Sequence, residues 1–339
     1  MRYLHHKDLP KTRPVARLRW LLSGVLLLVA LTGFVSYSRG PAGTGSVWHG
    51  LPIFGTTLQA DTPPQANASG PELKLPLEEK SVRFAVIGDS GTGEREQYDV
   101  AKQIEIYRQK VGFDFVIMLG DNIYGGHSPK DFADKFEQPY KPLLDAGVKF
   151  YASLGNHDDP GVERLYKPFN MGGERYYTFQ KGDVGFFVLD SNYMDPAQLD
   201  WLENTLHNSK AKWKICYFHH PLYSDGKSHG PDLDLRGQVL PIFKRNGVNV
   251  VFSGHEHVYE RLKPEEGIYY FILGNSAKLM TRDFSSTQNM VVGKDTERGF
   301  MIVEIAGDNL YFQTISRVGE TIDSGTVGRQ APPPTQSSR

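Results

Sequence analysis

The sequence predicts an α/β domain, a four-layer αββα sandwich of two packed mixed β-sheets with helices outside. Three observations predict it. Between about residues 81 and 318, β-rich apolar runs alternate with segments of helical period, the pattern of stacked α and β layers. The last strands have no helical segment between them, so antiparallel pairs are expected beside parallel ones. A chain of 339 residues that is 39% hydrophobic and 12% aromatic also carries enough apolar surface to bury such a core.

Strands are expected at residues 82–87, 113–119, 149–154, 176–180, 185–189, 214–218, 248–252, 269–273, 300–305 and 310–315. Between the first two, Val100, Ile104, Tyr107 and Val111 recur with the period of one helix face. Asp195-Pro196 reads as an N-cap followed by proline at the first helical position, with Leu199, Leu202 and Leu206 as the buried stripe. A further helix should end at Asn246-Gly247.

Outside this domain the chain divides by composition. Residues 1–19 are basic, with Arg2, Lys7, Lys11, Arg13, Arg17 and Arg19 opposed only by Asp8. Residues 20–37 form an uncharged, mostly apolar run of 18, enough to span a bilayer as a helix with its positive flank in the cytoplasm. No A-x-A-like cleavage site follows, which favours a retained signal-anchor over a removed signal peptide; either one exports the remainder. Residues 38–77 read as a Gly/Pro-rich linker, 78–318 as the folded α/β domain and 319–339 as a disordered tail. The polar segment 281–298 is expected to shape one wall of whatever site the domain carries.

Charge and cysteine content narrow the chemistry. Lys and Arg number 38 against 39 Asp and Glu, so no nucleic-acid-binding surface is predicted. The lone Cys216 rules out an internal disulfide and a cysteine-cluster metal site, leaving His, Asn, Tyr and carboxylates as ligands. Five strands run out into such residues: Gly88-Asp89, Gly120-Asp121, Gly155-Asn156-His157, His219, and Gly254-His255-Glu256-His257. Ligands gather beyond the carboxyl ends of strands in open α/β sheets, so these side chains can converge although they are far apart in sequence. Hard-to-borderline donors of this kind suit iron, manganese or zinc. Asp89, Asp121, Asn156, His219, His255 and His257 are too many for one ion and fit two. A two-metal clamp suits in-line displacement at phosphorus, which predicts a phosphoester substrate.

The series Gly88-Asp89-Ser90-Gly91, Gly120-Asp121-Asn122-Ile123-Tyr124, Gly155-Asn156-His157-Asp158, Cys216-Tyr217-Phe218-His219 and Gly254-His255-Glu256-His257 resembles the five-block signature of the calcineurin-like metallophosphoesterases, specifically the purple acid phosphatase branch. It is most similar to the small, tartrate-resistant type, because His229-Gly230-Pro231 follows the fourth block. The resemblance implies a metal-dependent phosphomonoesterase in which a metal-bound hydroxide attacks phosphorus. It places Asp89, Asp121, Tyr124 and His257 on Fe3+, and Asp121, Asn156, His219 and His255 on a divalent ion (Fe2+, Zn2+ or Mn2+), with Asp121 bridging. Aligning Pro221 with the proline of the family's fourth block implies His219 rather than His220 as the ligand. His157 and His229 would hold the phosphate, one of them protonating the leaving group. His127 and His220 could reach substrate or serve in packing, and Asp158 and Glu256 would hydrogen-bond backbone or ligands. Cys216 stands where the family usually has valine.

Three other functions remain open at this level. A phosphodiesterase or nucleotide-directed hydrolase would use the same centre. A non-catalytic binding protein on the same fold would be expected to have lost ligands, and none of the predicted positions is lost. A serine hydrolase lacks support, since no G-x-S-x-G elbow occurs.

Overall fold

Alternation along the first strand shows how the layers are assembled. Phe84 and Val86 point into one apolar cluster and Ala85 and Ile87 into another, so β1 (Val82–Ile87) is buried on both faces. The computed structural model describes residues 72–285 and 288–330. After β1 come helix α1 (Arg95–Val111), β2 (Phe115–Met118), β3 (Lys149–Ala152), β4 (Tyr177–Lys181), β5 (Val184–Val188) and helix α2 (Pro196–Asn208). Then follow β6 (Trp213–Tyr217), helix α3 (Leu233–Asn246), β7 (Val250–Ser253), β8 (Tyr259–Leu262), β9 (Tyr269–Leu273), β10 (Met290–Lys294), β11 (Gly299–Ala306), β12 (Asn309–Ser316) and β13 (Thr321–Gly328). Short helical turns fill the β2–β3 connection and the residues after β3.

The strands form two mixed sheets, ordered β13-β12-β11-β1-β2-β3 and β10-β8-β9-β7-β6-β5-β4. Pairs β1–β2, β2–β3, β5–β6, β6–β7 and β7–β9 are parallel, while β11, β12 and β13 are antiparallel as expected of strands without intervening helices. Between the sheets lie Phe84, Phe115, Phe186, Trp213, Ile215 and Phe252. Outside the first sheet pack Val100, Ile104, Tyr107 and Val111 of α1; outside the second, Leu202 and Leu206 of α2 with Val239 and Phe243 of α3. Each fully buried side chain of this size contributes roughly 1.5–3 kcal/mol. This is the predicted αββα sandwich.

The predicted helix ends also occur. Asp195 accepts from Gln198 N at 2.8 Å ahead of Pro196, and Gly247, with φ of 66°, closes α3.

Three strands escaped the sequence reading, and one overturns the predicted tail. β13 lies within 319–339, paired to β12 from Asn309↔Gly328 to Ile315↔Thr321. A tight turn at Gly319, with φ of 89°, returns the chain, and Asp323 is tied to Tyr259 and Arg261 of the other sheet. Its Thr, Ser and Asp content disguised a strand whose partner supplies most of the apolar surface. Residues 331–339 lie outside the described residues. The other two, β8 and β10, are short and pair at the edge of the second sheet, β10 within the polar segment 281–298.

The expected linker boundary at residue 77 is also too late. Leu73, Leu75 and Leu77 pack on the outer cluster, Lys74 N and Glu72 O bond to the Gln313 side chain at 2.9 Å, and Leu77 N donates to Glu304 at 2.8 Å. Among the described residues no helix is long and apolar enough to cross a membrane, and the expected span at 20–37 lies outside them.

Candidate metal centre

The parallel strands of both sheets deliver their carboxyl ends to one rim. The first sheet supplies Asp89 after β1, Asp121 after β2, and Asn156 and His157 after β3; the second supplies His219 after β6 and His255 and His257 after β7. The backbone there is strained. Asp89, Asp121 and His255 hold φ of 53°, 52° and 69°, the left-handed region that costs a non-glycine residue roughly 1–2 kcal/mol. Two hydrogen bonds fix the aim: His255 N donates to Asp89 Oδ2 at 2.9 Å, and His157 N donates to Asp121 Oδ1 at 3.0 Å. Glycine is required where the loops touch, since a Cβ on Gly155 would lie 2.2 Å from Asp121 Oδ1 and one on Gly254 would lie 2.4 Å from Asp89 Oδ2.

The predicted ligands gather in two groups. In the first, Tyr124 Oη is 3.1 Å from Asp89 Oδ1 and 3.3 Å from His257 Nε2, with 3.4 Å between the last two. In the second, His219 Nε2 lies 3.0 Å from Asn156 Oδ1, 3.1 Å from His255 Nδ1 and 3.5 Å from Asp121 Oδ1. His219 Nδ1 is 2.9 Å from the Leu119 carbonyl; donating there, it leaves Nε2 with a lone pair facing these groups. One ligand atom each from Asp89, Asp121 and His219 lies within 4.8 Å of the others, which joins the two groups. Asp89, Asp121 and His219 are buried, while Asn156 and His157 stand exposed at the mouth. Acceptor atoms packed so closely repel one another without protons or cations between them, so the donor set fits two hard-to-borderline ions.

Titration behaviour follows from this crowding. Burial, then Asp89 and Asp121, raises the Tyr124 phenol far above its ordinary range, so it ionises only against a cation. Burial and then neighbouring imidazoles hold His255 down to about 2 and His220 to about 4. His229 is lowered by burial and by His257. Burial also opposes charge on His257, but the Asp89 carboxylate outweighs it and raises the pKa.

His157 and His229 each lie beside a ring of the predicted ligand set. The His157 ring is 4.8 Å from that of Tyr124, and the His229 ring is 4.1 Å from His255 and 5.9 Å from His257. Glu256 anchors the second loop by accepting from His229 N at 2.9 Å and from Gly230 N. Asp158 likewise accepts from Asn122 N at 2.7 Å and Gly155 N at 2.8 Å. His127 is 2.9 Å from the buried Glu163, a packing position, and His220 bonds to Ser191 at 2.8 Å while its ring lies 4.5 Å from His255.

Sequence reasoning missed the loop after β9. Ser276 Oγ accepts from Gly88 N at 3.2 Å, Lys278 N donates to Asp89 O at 3.3 Å, and Lys278 Nζ sits 4.4 Å above the Tyr124 ring. Gly274-Asn275 following an apolar strand was the available signal, the same punctuation as at four of the five recognised ends.

Carboxylates and imidazoles meeting at the strand ends of an αββα sandwich define a metal-dependent hydrolase. Comparison with known proteins gives the family. The family model for calcineurin-like phosphoesterases matches residues 82–259. Purple acid phosphatase 17 of Arabidopsis thaliana is 31% identical over 227 residues, covering 57% of this chain and 67% of that protein. Tartrate-resistant acid phosphatase type 5 of Rattus norvegicus is 24% identical over 303 residues, covering 75% and 92%. The solved structure of purple acid phosphatase PPD1 from yellow lupin seeds shares the fold with a TM-score of 0.60 at 18% identity, over 78% of this chain and 58% of that one. The chain belongs to the calcineurin-like phosphoesterase family and is a binuclear-metal phosphoester hydrolase with purple acid phosphatases among its homologues.

Proposed function

We propose that the protein is a phosphomonoesterase of purple acid phosphatase type. Asp89, Asp121, Tyr124 and His257 would hold Fe3+, and Asp121, Asn156, His219 and His255 a divalent ion (Fe2+, Zn2+ or Mn2+), with Asp121 shared. The observation that carries the reading is Tyr124, whose hydroxyl lies 3.1 Å from Asp89 and 3.3 Å from His257. A phenol raised by burial and then by two carboxylates gives up its proton only to a strongly charged hard cation, and trivalent iron is the one that such an oxygen donor favours. When bound, the two ions supply charge neutralisation on the phosphoryl oxygens and acidify water.

The chain's own residues do the rest. His157 and His229 flank the mouth and would hold the phosphate by N–H donation. His229, with its lowered pKa, keeps a proton for the departing alkoxide only in acid, which fits an acid optimum. The test is a visible spectrum with metal analysis. Iron-loaded, oxidised wild type should show a tyrosinate-to-iron band, Tyr124→Phe should lose it, and a phenyl monoester should turn over faster than the matching bis-ester. A colourless wild type holding two equivalents of metal would reject the ferric assignment, and a faster bis-ester would reject the monoester preference.

The catalytic domain is further proposed to be exported and membrane-anchored through residues 20–37, on the strength of that uncharged run and its basic flank. Release of the full-length chain from membranes by alkaline carbonate would refute the anchor.

A further inference from the structure

Beside the Asn156 end of the mouth, Pro160, Arg175, Tyr193, Met194 and Asp195 line a hollow of about 580 Å³. Its walls continue from the site. Pro160 follows the Asn156-His157-Asp158 turn. The opposite wall is the loop after β5, where Asn192 Nδ2 donates to Leu154 O at 3.3 Å and Gly155 O at 3.2 Å, directly before Asn156. In the same loop Ser191 bonds to His220, whose ring lies tilted against that of His255 at 4.5 Å.

The hollow's charge and shape select what enters it. Arg175 is already paired with Asp190 at 2.7 Å and Asp195 at 3.0 Å, so one cation faces two carboxylates and an anionic group gains nothing there. The guanidinium also lies 5.7 Å from the centroid of Tyr193 and 5.8 Å from that of Tyr176, which braces the rings. Tyr193 nevertheless remains 61% exposed, the residue type that offers a flat apolar face with little conformational entropy to lose.

We infer that this hollow receives the leaving group of the phosphoester, and that the preferred leaving group is planar, aromatic and uncharged, stacked on Tyr193. The inference rests on the phosphatase reading for its orientation: phosphate at the mouth, organic portion over Tyr193. A second phosphate or a carboxylate on the leaving group is disfavoured by Asp190 and Asp195.

The test uses the full metal-loaded chain as wild type, Tyr193→Ala and Tyr193→Phe. Turnover of phenyl phosphate and glycerol 2-phosphate is measured, and binding of phenylphosphonate and methylphosphonate is titrated directly. Tyr193→Ala should lower kcat/KM for the phenyl ester about five- to tenfold more than for the glycerol ester, mainly through KM. It should weaken phenylphosphonate relative to methylphosphonate by the same factor, and Tyr193→Phe should restore both. Equal effects on the aryl and alkyl ligands, or none on either, overturn the inference. Failure of the phosphatase reading looks different: no turnover of either ester, with the phosphonate preference still present and still dependent on Tyr193.

Discussion

Replacing Gly155 by alanine tests whether the rim works as one rigid unit. The added Cβ would sit 2.2 Å from Asp121 Oδ1, 2.3 Å from Asp121 N and 2.9 Å from Asp121 Cγ, where ordinary contact begins near 3.4 Å. Asp121, 1% exposed, has no space to swing into, so the two loops must part by about 1 Å. Gly155 does not have a positive φ, so alanine adds no backbone strain of its own and the effect reports the contact alone. Overpacking of this kind costs roughly 1–3 kcal/mol of stability. A displacement of about 1 Å at the carboxylate proposed to bridge the ions should lower kcat about a hundredfold and metal retention by about ten- to a hundredfold. Metal analysis after dialysis, a thermal melt and phenyl phosphate turnover read the three effects. Gly237→Ala is the control: its Cβ meets nothing within 4 Å on the exposed face of α3, so it should stabilise by up to about 1 kcal/mol and leave metal content alone. A Gly155→Ala protein that holds two equivalents of metal and keeps half the wild-type rate would refute the reasoning.

Asp323→Ala should cost about 2–4 kcal/mol in denaturant unfolding, because it strands Arg261, bonded at 2.7 and 3.1 Å, and Tyr259, bonded at 2.7 Å. A loss below about 0.5 kcal/mol would mean that β13 does not tie the sheets together. Stability of the metal-free protein should fall as pH rises from about 5 to 8. Glu163, raised from 4.5 to about 8 chiefly by burial, contributes stability that is full below 4.5 and lost as pH climbs through the folded value. The slope is at most about 1.4 kcal/mol per pH unit. Glu163→Gln, which mimics the protonated side chain, should flatten this dependence in urea melts. An unaltered slope in that variant would assign the effect to other groups.

The strands and helices that were legible in the sequence are those whose own residues carry the signal. The run at β1 is apolar on both faces, α1 repeats Val100, Ile104, Tyr107 and Val111, and Asp195-Pro196 and Gly247 mark helix ends by local stereochemistry. β13, β8 and the Leu73–Leu75–Leu77 stretch were not legible for the opposite reason. Each is stabilised by a partner far away in sequence, Phe312 and Leu310 of β12 in the first case, so local composition understates it.

At the site, residue identity and spacing alone named the carboxylates and imidazoles, because a strand end running into a ligand-type side chain, with glycine before it everywhere but at His219, is a local pattern. The sequence likewise determined that an internal disulfide and a cysteine-cluster metal site are excluded, since Cys216 is the single cysteine. Only the tertiary structure decided that Asp89 and Asp121 of one sheet meet His219 of the other, since that distance depends on how the two sheets pack. The same packing placed Lys278 over Tyr124 and opened the Tyr193 hollow beside Asn156. Side chains that touch only across layers leave no periodic trace along the chain, and the energy that brings them together belongs to the core between the sheets.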